Sequence, residues 1–326
     1  MMYRAFYKLR HNPFEITPDP FFLFPTRRHK EALAHLYYGV NRRKGFVVMT
    51  GEVGTGKTLL VRCLLQLVKR NNVAYTYVFN SCLSGFEFLQ YIAADLGMTV
   101  SGKCKSELLL DLGSYLIARH ERKLTTLLVV DEAHHLSAEV LEEVRMLTNL
   151  ETTQEKLLQI LLVGQPELDE KLDSTELRQL KQRIALRCRL EPLGLEETRG
   201  YIQRRLQVAG PESKPAILFP RETMTAVHHH SRGIPRLINT LCENALISTY
   251  ALRAESVTAE VVDEVAADLR LGVVHQTAPD PSHSAELSEA VRTLLEVHRY
   301  LQTMPSKDEG LPSVSLKGVR SDESVI

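Results

Sequence analysis

The residues from Phe46 to Leu60 have types and spacing that could support phosphate chemistry. Residues 51–58, GEVGTGKT, satisfy G-x-x-x-x-G-K-[ST] at every fixed position. Glycines let such a turn point several backbone N–H groups at one anion, and the start of the next helix adds partial positive charge. We expect Lys57 to reach the β- and γ-phosphates and the Thr58 hydroxyl to take a Mg²⁺ position. The stretch therefore predicts a nucleoside triphosphate site.

A second candidate is the acidic pair Asp131-Glu132, which follows the apolar run Leu127–Val130. A buried strand that ends here would aim Asp131 at the water shell of Mg²⁺ and place Glu132 to polarise an attacking water. An Asp-Glu pair alone is a weak signal, but it is strong downstream of an intact phosphate loop. The letters DEAH also name a helicase motif, yet the sequence shows no second RecA-like half and no further helicase motif.

Three further positions could contribute to the same site. Gln165 follows the apolar run Leu157–Val163 and could orient water beside the γ-phosphate, or merely hydrogen-bond a loop. Arg236, in Gly-Ile-Pro-Arg at 233–236, should lie at a helix N-terminus and could reach the phosphates. The basic segment 177–190 holds too many arginines for a buried strand, so some must face solvent or a partner.

Other suggestive residues have simpler interpretations. Histidines 228–230 point in different directions on a helix, which favours a surface role over a metal site. His134 and His135 are interpreted as the start of the next helix. The aromatic residues of the N-terminal segment could wall a nucleotide base or pack under the first strand, and the sequence does not decide between these for Phe14, Phe21, Phe22 and Phe24.

Composition sets limits on the protein class. A length of 326 residues suits two packed domains and a tail, and 44% hydrophobic residues is ordinary for a globular protein. The net charge of zero excludes an overall field that attracts nucleic acid or membrane. Five dispersed cysteines indicate free thiols in a reducing compartment. No apolar run approaches the ~18–20 residues of a membrane span, so we expect a cytoplasmic protein.

The order of elements indicates an α/β protein. Residues 1–45 are basic and aromatic, contain four prolines, and should become helical only from Thr26. Strands are expected at 46–49, 73–80, 125–130, 157–163 and within 177–190, with helices at 85–96, 105–120 and 137–150 between them. From Pro192 the pattern predicts helices at 196–208, 221–231, 235–250 and 258–270.

We therefore predict four regions. Residues 1–45 pack on a nucleotide-binding core at 46–191, and residues 192–270 form a small helical domain. Residues 271–326 form a linker, one amphipathic helix at 284–303 and a disordered tail.

Taken together, these motifs resemble an AAA+ ATPase with an α-helical lid. The opening residues MYRAFYKLRHNPFEITPDPFFLFPTRRHKEALAHLYYGV, together with GEVGTGKT, VVDEAH, LLVGQPEL and GIPRLIN, are similar to the general secretion pathway protein A (ExeA-type) family. Within it they resemble the secretion ATPases encoded with exosortase and exopolysaccharide loci. The similarity covers roughly residues 2–270, and its motifs are specific.

The resemblance implies a P-loop core with a five-stranded parallel sheet, ATP and Mg²⁺ as ligands, and nucleotide bound between core and lid. Gln165 matches sensor 1, Arg236 matches sensor 2, and Arg183 is favoured as the arginine finger, with Arg178 and Arg187 as alternatives. Catalytic roles are then expected for Asp131, Glu132, Gln165 and Arg183. Contacts to the nucleotide are expected from Gly51, Glu52, Val53, Gly54, Thr55, Gly56, Lys57, Thr58, Leu59 and Arg236.

The family also suggests partners. A homo-oligomer and contacts with secretion or export machinery are expected, and any location at the inner membrane would come through such partners. Full-length members carry a transmembrane helix and a peptidoglycan-binding domain, and neither occurs in these residues, so cell-wall anchoring is not carried over. The main alternative is a DNA-binding regulator of transposition, since similar ATPases serve there. Nine Lys/Arg against three Asp/Glu in residues 1–45, a net +6, would suit DNA phosphates or an acidic partner.

Overall fold

The computed structural model describes residues 2–79, 83–210 and 214–271. The predicted linker, the amphipathic helix at 284–303 and the polar tail lie outside these residues, as does Cys82. Within them, no helix is long and apolar enough to cross a membrane.

The first layer of the fold is a five-stranded sheet with the order β2-β3-β4-β1-β5, in which every neighbouring pair is parallel. The predicted five-stranded parallel α/β core is confirmed. β1, β3 and β4 are buried along their whole length, as strands covered on both faces must be. The strands are β1 (Phe46–Gly51), β2 (Ala74–Val78), β3 (Thr126–Val130), β4 (Leu158–Gly164) and β5 (Ile184–Leu190).

Helices cover both faces of the sheet and form a separate group after β5. Those before and between the strands are α1 (Met2–Phe6), α2 (Arg27–Asn41), α3 (Lys57–Lys69), α4 (Gly85–Asp95), α5 (Lys105–Glu121), α6 (Ala138–Leu147), α7 (Glu167–Leu172) and α8 (Arg178–Lys181). Those after β5 are α9 (Leu195–Ala209), α10 (Pro215–Leu218), α11 (Arg221–Ser231), α12 (Pro235–Ala251) and α13 (Ala259–Asp268). The last group forms the lid, and the short helix α10 within it was not expected.

Side chains alternate in direction along each strand, so the apolar core is divided between the two faces of the sheet. Val48 of β1 and Val130 of β3 face α4, α5 and α6, whereas Val47 and Val129 face α2 and α3. Successive side chains of a strand point to opposite faces, so each buried strand contributes to both apolar layers. Loops at the strand ends are thereby held by a rigid three-layer support.

The N-terminal segment packs differently from the prediction. α2 and the half-buried Leu23 pack on the apolar cluster of the sheet, whereas Tyr3, Tyr7, Phe14 and Phe22 are buried in the apolar cluster of the lid. Short helices enclose little apolar volume by themselves, and these aromatic side chains complete their core. The segment before α2 therefore packs mainly on the lid and crosses to the sheet between Leu23 and Thr26, whose side chain caps α2.

The two histidines after the acidic pair also differ from the expectation. They do not begin α6 but belong to a separate 3₁₀ turn, Ala133–His135. Ser137 caps α6 by accepting the Val140 N–H, so this helix starts only at Ala138. The turn directs the His134 side chain inward, towards the end of β4.

Candidate active site

The sequence-predicted polar residues meet at one edge of the sheet. β1, β3 and β4 are parallel, so their carboxyl ends lie together, and each is followed by a candidate group. The phosphate loop follows β1, the pair Asp131-Glu132 follows β3, and Gln165 follows β4. Topology thus brings together residues more than a hundred positions apart.

The phosphate loop has the backbone that its glycines predict. Gly54 and Gly56 have φ values of +81° and +99°, a backbone region that residues other than glycine rarely adopt. A Cβ atom on Gly51 would lie 2.7 Å from the Leu190 carbonyl oxygen. α3 begins at Lys57, so its free N–H groups face the turn. The loop is a cradle that fits an anion.

Lys57 lies inside this cradle. Its Nζ donates to the carbonyl oxygens of Gly51 at 2.7 Å and Glu52 at 3.0 Å. Burial lowers the pKa of the Lys57 ammonium, and the carboxylates of Glu132 and Asp131 partly oppose that shift. A bound phosphate would oppose it further, so the site gains electrostatic stabilisation from an anionic ligand.

Asp131 is buried and is held at both carboxylate oxygens. Thr58 Oγ1 donates to Oδ2 at 3.1 Å, the Tyr77 hydroxyl donates to Oδ2 at 2.5 Å, and the Glu132 N–H donates to Oδ1 at 3.0 Å. Burial and the bond to Asp131 raise the pKa of the Tyr77 phenol. Sequence reasoning missed Tyr77, which stood in the sequence only as an aromatic strand residue.

The oxygen ligands beside the cradle fit Mg²⁺. A hydroxyl from Thr58 and a carboxylate from Asp131 are hard donors within 3.1 Å of each other. Across the described residues there is no group of three or more His, Cys, Asp or Glu that could hold a metal alone. Mg²⁺ commonly takes one or two protein oxygens plus substrate phosphates, which is the arrangement available here.

Glu132 lies beside the cradle with its carboxylate half exposed, at 48% of the side chain. Its φ and ψ of 52° and 35° are left-handed, an uncommon conformation for a side chain of this kind. Strained backbone of this type concentrates at functional sites. The turn places the carboxylate in the cavity that Lys57 and Thr58 line.

Gln165 contacts His134, a residue that lies beside this acid, and its backbone N–H donates to Nδ1 of that ring at 3.5 Å. Nε2 of Gln165 lies 2.9 Å from Nε2 of His134, and Nδ1 of His134 lies 3.4 Å from a Glu132 carboxylate oxygen. Sequence reasoning did not assign His134 to the site, because its order along the chain gives no sign of this contact. Gln165 itself is not among the residues that line the cavity beside Lys57 and Thr58.

A cavity of about 370 Å³ lies over the cradle and between core and lid. Arg236 lines it, and its backbone N–H donates to the Gly54 carbonyl oxygen at 3.2 Å. Gly54 allows this approach, since a Cβ there would lie 2.7 Å from the Cβ of Arg236. The Gly-Ile-Pro-Arg segment therefore joins the lid to the phosphate loop.

The N-terminal segment forms the opposite wall of the cavity. Its contribution is Glu15–Asp19, and none of the four phenylalanines considered in the sequence lines the space. Phe14 and Phe22 are buried in the lid, so neither sequence interpretation applies to them.

His29 of α2 bonds Thr26 through Nδ1 at 2.7 Å and hydrogen-bonds the backbone of Thr55. Burial lowers the pKa of His29.

The finger candidates lie away from this cavity. Arg187 is paired with Asp169 at 3.2 Å and with Asp173 at 3.6 Å, so it is held by its own chain. Arg183 is half-buried near Glu151, and Arg178 is exposed on α8. None of the three lines the cavity.

Among the residues that the structure describes, the remaining histidines and cysteines show no sign of a second centre. His228 bonds Thr198 at 2.9 Å and His230 bonds Asp263 at 2.7 Å, which are contacts within the lid. In the described part of the chain, the cysteines at 63, 104, 188 and 242 are free thiols.

Comparison with known proteins supports this picture. Residues 40–172 match the AAA domain family. The chain is 43% identical over 251 residues to general secretion pathway protein A of Aeromonas hydrophila, which covers 77% of this chain and 45% of that protein. The chain thus spans less than half the length of this relative. The resemblance expected from the sequence is confirmed.

Two further similarities are more distant. ATP-dependent target DNA activator B of Escherichia phage Mu is 36% identical over 104 residues, 32% of this chain and 31% of that protein. The Aeropyrum pernix ORC2 structure, solved as ADPNP–ADP complexes, superposes with a TM-score of 0.60 at 18% identity, over 85% of this chain and 74% of that one. The latter supports the fold alone.

Proposed function

Since this chain belongs to the AAA+ ATPases and resembles general secretion pathway protein A over 251 residues, we propose that it hydrolyses ATP with Mg²⁺ for a secretion or exopolysaccharide export system. The observation that carries this is one cavity lined together by Lys57, Thr58, Glu132 and Arg236, with Asp131 bonded to Thr58. A cation, oxygen ligands for a metal ion and a carboxylate that can accept a proton lie together there, as phosphoryl transfer requires.

Each residue has a defined part in the proposed reaction. Lys57 and the backbone N–H groups of residues 51–58 hold the β- and γ-phosphates. Thr58 and Asp131 would hold Mg²⁺, which neutralises charge on the phosphate oxygens. Glu132 accepts the proton of the attacking water, and its half-exposed carboxylate leaves room for that water. Gln165 and Arg236 are proposed to sense the γ-phosphate.

Two substitutions separate binding from turnover. Lys57→Ala should weaken ATP binding, because a point charge on the phosphates is lost. Glu132→Gln should bind ATP but hydrolyse it about 10²–10⁴-fold more slowly, because a carboxamide cannot accept the proton. Fluorescent-nucleotide titration and phosphate release measure the two effects. Lys69→Ala and Glu121→Gln, both exposed, are matched controls. Normal turnover by Glu132→Gln would refute the assignment of the base.

The proposed working form is a homo-oligomer that shares its active sites. Arg183 is the preferred finger, since it lies outside its own cavity and Arg187 is engaged by Asp169 and Asp173. The proposed partners are components of the secretion or export machinery. Gene neighbourhood tests this part: exopolysaccharide or exosortase genes beside this one support it, and a transposase gene opposes it.

A second candidate function is DNA-dependent regulation of transposition. The relative named ATP-dependent target DNA activator B favours it, as does an open groove lined by Arg27, Arg28, Arg187 and Arg189. Three of these are already ion-paired, to Glu31, to Glu191 and to Asp169, which weakens the case. DNA binding that requires ATP, falls steeply with salt and raises turnover would replace the secretion proposal with this one.

A further inference from the structure

Residues 13–19, called the strap below, belong to no helix or strand, and residues 15–19 of the strap line the cavity. Its carbonyl oxygens have no partner in a regular element, so other groups must donate to them. Arg205 of α9 supplies two such bonds, to the carbonyl oxygens of Pro13 and of Glu15, the latter at 3.1 Å. A third nitrogen of Arg205 donates to the Tyr201 hydroxyl at 2.8 Å. One side chain of the lid thus holds the strap beside the cavity.

Two further side chains bond the backbone of the strap. Asn239 of α12 donates to the Glu15 carbonyl oxygen at 3.4 Å, and its own amide oxygen accepts from the Tyr201 hydroxyl at 2.9 Å. Arg62 of α3 donates to the Pro18 carbonyl oxygen at 2.5 Å. The lid therefore holds the first part of the strap, and the core holds its later part.

The burial of Arg205 makes these hydrogen bonds important. Only 5% of the residue is exposed, and among the described residues no carboxylate lies within ion-pair distance of it. A buried charge is costly unless hydrogen bonds satisfy it, and here the strap provides two of the three acceptors. The rings of Phe22 and Tyr201 lie 4.8 and 5.4 Å from the guanidinium carbon. Arg205 is therefore fixed in place, and the strap is fixed with it.

The cavity also has exposed apolar surface on the strap. Ile16 of the strap and Val53 of the phosphate loop both line the cavity, and they are 53% and 49% exposed. Apolar side chains that line a ligand cavity are typically covered by the ligand, and in ATP the flat, largely apolar part is the base. The glycine cradle accounts for the triphosphate, so the strap is a wall available to the nucleoside.

We propose that Arg205 is a positioning residue that holds the strap where it contacts the nucleoside part of ATP. The inference rests on the proposed function, because the ligand must be a nucleotide, but it concerns binding and not hydrolysis. All three nitrogens of Arg205 donate to protein oxygens, so it acts on the ligand through the strap. Loss of these bonds should weaken binding of the nucleoside and leave triphosphate binding in the cradle unchanged.

The first test requires neither nucleotide nor activity. Arg205→Lys keeps the charge, but an ammonium lacks the planar fork that bonds two carbonyl oxygens at once. Amide hydrogen exchange, followed by mass spectrometry, should be about tenfold faster in peptides that cover the strap and unchanged in peptides that cover residues 51–58. Arg204→Lys, at the exposed neighbouring position, is the matched control and should exchange like the unsubstituted protein. Unchanged exchange of the strap in Arg205→Lys would overturn the proposal.

The second test compares ATP with inorganic tripolyphosphate, which has no nucleoside. Titration calorimetry in the presence of Mg²⁺ gives the Kd of each ligand. Arg205→Lys should raise the Kd for ATP about tenfold or more, because hydrogen bonds to a charged group are lost. The Kd for tripolyphosphate should stay within about twofold, because the cradle does not contact the strap bonds that change. Arg204→Lys should keep both values. Equal losses for the two ligands in Arg205→Lys would overturn the proposal.

A milder variant keeps the proposal testable if Arg205→Lys does not fold. Tyr201→Phe retains the ring and removes only the oxygen that accepts from Arg205, so it should raise the Kd for ATP about 2- to 10-fold and leave that for tripolyphosphate unchanged. Lys57→Ala should weaken both ligands, since it acts on the phosphates. An unchanged Kd for ATP in Tyr201→Phe would overturn the proposal. Unsubstituted protein that binds ATP without hydrolysing it would instead refute the proposed function and leave the binding comparison valid.

Discussion

Asp131 is held by three donors, and one of them, Tyr77, lies outside the sequence motifs. Thr58 and the Glu132 N–H belong to the motifs themselves, whereas Tyr77 comes from β2. A residue that bonds a metal-binding carboxylate fixes its direction and tunes its affinity. The phenol of Tyr77 therefore belongs to the proposed metal site although it would not touch the ion.

Tyr77→Phe tests this role, because it removes only the phenol oxygen. We expect the Mg²⁺ concentration for half-maximal ATP hydrolysis to rise about tenfold or more, since loss of such partners typically costs 10–100-fold in metal affinity. Tyr75→Phe on the same strand, whose side chain is exposed, is the control. Equal Mg²⁺ dependence in the two variants would remove Tyr77 from the site.

At the level of elements, a close backbone contact within the lid holds the segment that reaches the phosphate loop. The Leu193 N–H donates to the Gly233 carbonyl oxygen at 2.8 Å, just before α9 begins. Gly233 has a φ of +75° and leaves no room for a Cβ atom beside Leu193. Because Arg236 follows three residues later, this contact also positions the proposed sensor.

Gly233→Ala should therefore cost more than an unfavourable φ alone. Gly97→Ala is a matched control, since Gly97 has a φ of +83° and nothing within 4 Å of an added Cβ. We expect about 1–2 kcal/mol for the control and about 2–5 kcal/mol for Gly233→Ala, by denaturant unfolding. ATP affinity should fall only in Gly233→Ala. Equal losses in both would show that the close contact is unimportant.

The attachment of α1 to the lid depends on a half-buried acid of α12. Glu243 accepts from the Tyr3 hydroxyl at 2.8 Å and from Asn12 Nδ2 at 3.3 Å. Burial raises the pKa of Glu243, although both hydrogen bonds oppose this. The folded protein thus binds this proton more tightly than the unfolded chain, and stability falls as pH rises from the ordinary value near 4.5 through the raised one.

Glu243→Gln should remove that part of the pH dependence. Thermal melting between pH 4 and pH 7 should show the unsubstituted protein losing stability relative to the variant as pH rises. Glu264→Gln, an exposed residue of α13, serves as the control and should follow the unsubstituted protein. A constant difference between Glu243→Gln and the unsubstituted protein over this range would contradict the prediction.

For the whole molecule, the question is whether one chain completes its own site. Among the described residues, the cationic side chains that line the cavity are Lys57, Arg236 and Arg205. Arg205 is buried and donates to the Pro13 carbonyl oxygen. Charge that develops on the γ-phosphoryl oxygens requires a further cation, and an arginine finger supplied by a neighbour is worth about 10³–10⁵ in rate. Arg183 is proposed for that role.

Arg183→Ala should keep ATP binding and lose hydrolysis. Mixed with Glu132→Gln it should recover activity, because one interface then pairs an intact Glu132 with an intact Arg183. Arg187→Ala is the comparison, since it breaks partly exposed ion pairs worth about 0–1 kcal/mol. Its hydrolysis rate should not depend on mixing with Glu132→Gln. Full activity of Arg183→Ala alone would move the finger to Arg178 or Arg187, or indicate hydrolysis by a monomer.

The sequence by itself determined the elements and the motifs that are contiguous along the chain. The phosphate loop, the strand before Asp131 and the four longer helices of the lid follow from apolar periodicity and local glycine and capping signals. The expectation of a parallel sheet also follows from the sequence, because apolar strands alternate with helices along the chain. These features depend on interactions between neighbours in sequence, which a pattern of residues records directly.

Tertiary structure alone decided which distant side chains touch. Tyr77 reaches Asp131, His134 lies between Gln165 and Glu132, and the first aromatic residues pack on the lid instead of the sheet. These contacts follow from the strand order β2-β3-β4-β1-β5 and from the side-chain directions that packing allows. Such pairs are set by long-range packing free energy, and no local pattern in the sequence specifies them.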